Sequence, residues 1–401
     1  MRRALLLSLL VAGAAHAAET VVLPKSTFLI DFSYLNSTLN QRYDDDRRRL
    51  PLIDEIPRYE PGGGLQGVLG AKPDVQFRFL VLQLGYGITD QLTALVYVPI
   101  VLETVIDANF SWRPGDYQPG LGRAYSQDDF WAWAGSLGQP RPPDRAVTNR
   151  GTLADMPVGL RYKLDNYWLL DKLGLQVAGT LVVALPTGKA PDPEELLVAG
   201  TTTWELHSYG DVEAHVSLDR PFLTDEYGVS RFNLGADFYY AFFRPREYQT
   251  PRGTVNPLLL NFAPYVGDKY TIDPGDWFVS TVSFDINPFL GPTLATIVSG
   301  RSLEKAHTLP PMVSLTFSYS YIATMPTRWH SNSPLWEYDR EKQWGPGDKH
   351  AFRAQLNLSF MRVGFPLQMY ISYRAQDLAS GRNTRAANTF SVGLRLLAKF
   401  W

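Results

Sequence analysis

The 401-residue chain contains no cysteine, so no disulfide framework can staple it. Charge is scarce. Lys and Arg number 38 against 40 Asp and Glu, a net charge of −2, which argues against nucleic acid as a partner. Long apolar runs are also missing. A polytopic helical membrane protein needs several stretches of about 18 or more apolar residues. The nearest approach, from Gly174 to Gly188, is interrupted by Gln176, Thr180, Pro186 and Thr187. A disordered chain is excluded by what is abundant: 21 Phe, 21 Tyr and 10 Trp.

The first residues read as an address. Arg2 and Arg3 precede an apolar run from Ala4 to Ala12, and Ala15-His16-Ala17 places small residues where a signal peptidase reads. The run is too short for a membrane anchor. Cleavage is expected after Ala17, leaving 18–401 as one domain with 36 − 40 = −4 charges.

That domain alternates with period two. Phe352, Ala354, Leu356 and Leu358 alternate with Arg353, Gln355, Asn357 and Ser359. Leu367, Met369, Ile371 and Tyr373 alternate with Gln368, Tyr370, Ser372 and Arg374, and similar runs cover 212–219, 232–242, 313–321 and 390–400. Strands facing two different solvents read this way. Weaker candidates lie around 26–36, 75–88, 92–104, 153–164, 174–187, 258–267, 277–287 and 291–301. Tight linkers, such as Thr89-Asp90-Gln91, tend to alternate with long ones at 43–74, 105–150, 188–200, 244–256 and 326–348. A soluble β-sandwich would also alternate. Successive Phe-, Tyr- and Leu-rich faces with asymmetric linkers favour a transmembrane antiparallel up-and-down β-barrel in a bacterial outer membrane. About 14 strands are expected, within a range of 12 to 16. The chain finishes Phe400-Trp401, an aromatic end of the kind the barrel-assembly machinery reads.

Several segments resemble the transporter family named after the meta-pathway of phenol degradation. They are Tyr86-Gly87-Ile88-Thr89-Asp90-Gln91-Leu92-Thr93 with Val98-Pro99; Gly159 to Leu164 after Asp155; Leu185-Pro186-Thr187-Gly188; and Trp204 through Gly210-Asp211 to Leu218. The resemblance covers roughly 75–245 and implies an outer-membrane barrel passing small, often aromatic or hydrophobic solutes. It supplies no catalytic residues. Read physically, the first motif is a hairpin whose Gly85 and Gly87 relieve crowding at a bend.

If the apolar parity faces lipid, the other lines the lumen. Acids and histidines then fall on a middle group of strands: His207, Asp211, Glu213, His215, Asp219, Asp237 and Asp285. Bases fall on the last three, Arg353, Arg374, Arg395 and Lys399, with Arg161 and Lys163 earlier. Two readings stay open: a water-filled lumen with a transverse field, or a lumen sealed by ion pairs. A metal at Asp211, Glu213 and His215 is disfavoured, because alternate residues on one strand stand about 7 Å apart. No metal or other cofactor is expected.

The 105–150 loop carries Trp112, Tyr117, Tyr125, Phe130, Trp131 and Trp133, and the 326–348 loop carries Trp336. These rings either form an inward aromatic capture site or pack as a girdle and on one another. A hydrolase reading of Trp329-His330-Ser331-Asn332-Ser333 fails on spacing, so an enzyme is not expected. The Asp44-Asp45-Asp46-Arg47-Arg48-Arg49 block suits a solvated loop or a lipopolysaccharide contact. The sequence therefore points to an outer-membrane channel for small solutes. Its rival is a sealed barrel whose external loops bind a ligand or partner.

Overall fold

A computed structural model describes residues 20–60, 62–115, 121–136, 141, 143–148, 150–164, 172–188, 212–224, 230–249, 269–289, 310–333, 346–361, 365–376 and 380–399. Twelve antiparallel strands close into a barrel: β1 (Thr27–Tyr43), β2 (Asp74–Gly87), β3 (Leu92–Asp107), β4 (Met156–Leu164), β5 (Gln176–Leu185), β6 (Val212–Thr224), β7 (Ser230–Phe242), β8 (Trp277–Phe289), β9 (Val313–Thr324), β10 (Gly347–Ser359), β11 (Leu367–Ala375) and β12 (Thr384–Lys399). Each pairs with its neighbour in sequence, and β12 returns to β1 from Thr27↔Lys399 to Tyr43↔Thr384. Closure leaves no open edge, as a sheet in lipid requires.

The count is twelve, at the low end of the expected range. The two surplus candidates, 258–267 and 291–301, lie outside the described residues, and the ring closes without them because β7 pairs β8 and β8 pairs β9. The expected signal segment, 1–17, also lies outside the described residues.

The alternation places apolar side chains outside. Val216, Phe317, Phe352 and Tyr373 are 45–52% exposed, while their neighbours Ser217, Thr316, Arg353 and Arg374 are buried. Aromatic pairs decorate the exterior near both rims: Phe28 with Tyr86 at 4.6 Å at one end, and Tyr240 opposite Phe278 at the other. An exterior of this kind belongs in lipid, and bacterial outer membranes are where such barrels reside.

Connections at one rim are short at 88–91, 225–229 and 360–366 and longer at 165–175 and 290–312. Connections at the other rim are mostly long, 376–383 being shorter. They include two three-stranded ribbons, Ile56–Tyr59 with Leu65–Ala71 and Phe110–Pro114, and Arg246–Gln249 with Lys269–Asp273 and Arg328–Ser331. By the usual asymmetry the short rim is periplasmic and the long rim extracellular. The hydrolase-like run lies here, with His330 opposite Thr271 outside the barrel.

The interior is not uniformly polar. On β1–β3, toward the extracellular rim, Leu35, Leu39, Val75, Phe77, Phe79, Val81, Val101 and Ile106 face inward and pack together with Ala387. Apolar parity therefore does not mark lipid everywhere. The run Phe79-Leu80-Val81-Leu82 is apolar on both parities, the signature of a strand covered on both faces.

Candidate functional site

Inward-facing polar residues gather on separate sectors of the wall. On β6 and β7, His215 Nε2 lies 3.2 Å from Glu213 Oε2, and His215 Nδ1 lies 3.4 Å from Asp237 Oδ2. Ser217 Oγ donates to Asp237 Oδ1 at 2.6 Å, and the His215 ring stacks on Tyr239 at 4.6 Å. Nearer the periplasmic rim, Asn233 Nδ2 donates to Asp219 at 3.2 Å and to Asp285 at 3.3 Å. Expected lumen residues Glu213, His215 and Asp237 thus come together on β6 and β7, and Asp219 and Asp285 meet separately at Asn233.

The basic sector is β10–β12. Arg395 donates to Asp31 Oδ2 from Nε at 3.0 Å and from Nη2 at 2.9 Å, and to Gln368 at 3.1 Å. Tyr370 donates its hydroxyl to Asp31 Oδ1 at 3.2 Å. It can do so because position 393 is glycine: a Cβ there would sit 2.3 Å from the Tyr370 ring. Arg353 and Arg374 stand directly opposite each other on β10 and β11, and Arg353 donates to Gln355. Arg161 on β4 donates to Thr180 on β5 at 2.9 Å. These contacts run along the wall, between neighbours on one strand or on adjacent strands, except that Tyr370 on β11 reaches Asp31 on β1 across Gly393 of β12. Lumenal Asp31 is legible only with hindsight, in the alternation of Phe28, Ile30, Phe32 and Tyr34 with Asp31 and Ser33. His207, Asp211, Trp336, Phe400 and Trp401 lie outside the described residues.

At mid-depth the sectors enclose a cavity of about 110 Å³, lined from eleven of the twelve strands and including Tyr97, Arg161, His215, Asp237, Tyr239, Arg353 and Arg374. Toward the periplasm Val21 and Leu23 contribute to the lining. They belong to a segment, residues 20–26, that crosses the periplasmic mouth. At one end Ser26 N donates to Gly87 O at 2.9 Å, Lys25 N to Asp90 Oδ1 at 2.9 Å and Leu23 N to Thr93 Oγ1 at 2.7 Å. At the other end Thr20, fully buried, donates its N–H to Asp219 Oδ2 at 2.6 Å on β6. The hairpin glycines make room for this segment. A Cβ on Gly87 would lie 2.0 Å from the Pro24 carbonyl oxygen, and one on Gly85 would lie 2.9 Å from Leu23. Gly85, Gly87, Asp90 and Thr93 therefore form the seat of residues 20–26, beyond the bend relief read from their sequence.

The aromatic loop builds a separate unit at the extracellular rim. Helix α1 (Gln127–Ser136) starts with a capping box: Ser126 Oγ and N both bond Asp129 Oδ2, and Asp129 N donates back to Ser126 Oγ. Phe130 packs against Trp112, Trp131 and Trp133, with ring centroids 5.0–5.6 Å apart. Trp112 Nε1 donates to Tyr125 O at 2.6 Å, and Arg58 lies 3.6 Å above the Trp133 ring. Trp112 lies over Gly67, where a Cβ would meet its ring at 2.1 Å. The rings pack on one another, and none of these four belongs to the cavity lining.

The hydrogen bonds from Arg123, together with those from Ser126, hold the Asp129 carboxyl well below the usual carboxylate range. A depressed carboxyl contributes stability above its unfolded value, near pH ~4, and loses it as pH falls through the folded value. Hydrogen exchange of peptide 127–136, corrected for intrinsic rate, should therefore match at pH 7 and 5 and accelerate only at lower pH. Acceleration already between pH 7 and 5 would contradict this role.

No protein-family model matches the chain, and no curated protein matches it in sequence. Its fold resembles that of an outer membrane channel from Pseudomonas putida F1, with a TM-score of 0.54 at 9% identity, over 96% of this chain and 100% of that one. More distant likenesses are the CymD monoaromatic hydrocarbon channel, with a TM-score of 0.36 at 8% identity over 97% and 96%, and a Pseudomonas aeruginosa FadL homologue, with 0.35 at 12% over 97% and 94%. At these identities the likeness is one of fold.

Proposed function

We propose that this barrel is a passive outer-membrane channel for small solutes and that residues 20–26 narrow it at the periplasmic mouth. The observation that carries the reading is the cavity itself: a space at mid-barrel walled by charged and polar side chains inside a lipid-facing ring. Buried charge is costly in a dry interior, so a lumen lined by it suits water and polar solutes. The apolar inner wall of β1–β3 extends the range toward solutes with an apolar body. Membership of the phenol meta-pathway family, carried by the 86–93 and 159–164 segments, is part of the same reading. So is recognition of Phe400 and Trp401 by the assembly machinery.

Liposomes containing the refolded protein should swell in solutions of small solutes, and the rate should fall steeply as solute size grows. Absence of swelling from protein with verified heat-modifiable gel mobility would overturn the channel. That result would favour a sealed barrel acting through its extracellular unit. The self-contained core around α1 is what supports that second reading.

A further inference from the structure

We propose that the periplasmic half of the lumen binds a calcium ion between Asp285 on β8 and Thr316 on β9, with Asp219 on β6 supplying the second negative charge. This goes beyond the channel reading and does not depend on it. Asp285 and Thr316 are register partners, so their side chains leave adjacent strands on one face. Ser283 stands two residues before Asp285 on that face, and Asn233 stands opposite Asp285 on β7. Asp219, Ser283, Asp285 and Thr316 are each over nine-tenths buried.

Asn233 Nδ2 donates to one oxygen of each carboxylate, Asp219 Oδ1 and Asp285 Oδ2. Thr20 N takes the other oxygen of Asp219. Among the described residues, Asp285 Oδ1 accepts no hydrogen bond, and neither Thr316 Oγ1 nor Ser283 Oγ makes one. The Thr316 hydroxyl is close enough to bear on the Asp285 carboxyl, yet the two oxygens do not bond. Three buried oxygens without a donor therefore gather at neighbouring positions. The charge that bears on Asp285 is that of Asp219, and it has the same sign. Lumenal bases have acids of their own elsewhere: Arg395 is held by Asp31, and His215 faces Glu213 and Asp237. Buried like charges repel where little water screens them, and a cation between them removes the cost. Among the described residues no three His, Cys, Asp or Glu side chains form a metal-binding group, which disfavours a transition metal. Carboxylate and hydroxyl oxygens suit a hard cation instead. Calcium accepts about six to eight oxygens in irregular array and takes water for the remainder, whereas magnesium demands a near-ideal octahedron. Its double charge matches the two carboxylates. The oxygens come from β6, β8 and β9, so no spacing in the sequence marks the site.

Calorimetry on the chelator-stripped, refolded protein in detergent is the test, with calcium chloride as the titrant. Calcium should bind, and magnesium should bind more weakly. Asp285→Asn should weaken calcium by roughly tenfold or more, because affinity follows the count of charged ligands. Thr316→Val, which removes one neutral oxygen and keeps the shape, should weaken it less. Glu247→Gln, on an exposed side chain paired with Lys269 outside the barrel, should leave binding unchanged. Heat stability separates a cation site from a merely structural carboxylate. Calcium should raise the temperature at which the wild type loses its folded gel mobility, and should not do so for Asp285→Asn. Without calcium, Asp285→Asn should be no less stable than the wild type, because it removes one of two like charges. Should Asp285→Asn fail to fold, Thr316→Val and Ser283→Ala decide, and full affinity in both would overturn the site. No calcium binding by the folded wild type, or full affinity in folded Asp285→Asn, would overturn it as well. Tighter binding of magnesium would overturn the assignment to calcium.

Discussion

Trp112→Ala should loosen the extracellular unit while leaving the barrel intact. Trp112 joins three parts of that unit: it packs on Phe130 of α1, it donates to the Tyr125 carbonyl, and its ring occupies the space over Gly67 on a neighbouring strand of the ribbon. Removing a packed Trp side chain costs about 3–5 kcal/mol when the site cannot collapse. Here collapse is limited, because Phe130 is also packed against Trp131 and Trp133. Hydrogen exchange across 124–136 should rise sharply and trypsin should cut at Arg123. Heat-modifiable mobility should not change, because the barrel strands pair independently of this unit. Unchanged exchange in α1 would show that another contact holds the helix.

Gly87→Val should free the segment at the periplasmic mouth. The atom that a side chain would strike is a backbone carbonyl, that of Pro24, so no rotamer change relieves the clash. The segment would lose its bonds to Gly87, Asp90 and Thr93 together, because Leu23, Lys25 and Ser26 lie close together on one short stretch that turns at Lys25-Ser26. Tryptic cleavage at Lys25 should become fast. Single-channel conductance should rise by about twofold or more as a constriction is removed. Fast cleavage with unchanged conductance would show that residues 20–26 dock at the mouth without narrowing it.

The β7, β9 and β10 faces were legible in the sequence because one parity carries Phe, Tyr and Leu and the other Arg, Asn, Gln or Ser; that contrast between lipid and lumen is the pattern period two reveals. β1–β3 were less legible. Val75, Phe77, Phe79 and Val81 pack inside the barrel while Leu80 and Leu82 face out, so both parities are apolar and the pattern loses its contrast. The expected inward parity of Glu213, His215, Asp237, Arg353, Arg374 and Arg395 is the one seen, but their grouping into cavity, acidic cluster and Asp31–Arg395 pair needed strand register. The seat at Gly85–Thr93 was invisible for a different reason. Its partner lies some 60 to 70 residues earlier in an irregular stretch, and no periodicity marks it.

The central claim is a water-filled path through this barrel, narrowed by residues 20–26. Single-channel recording in a planar bilayer tests it most directly, on the refolded chain with and without residues 20–24. The account predicts small, stable steps from the intact chain and larger ones from the deletion, with folding verified for both. No steps from either folded protein would contradict it.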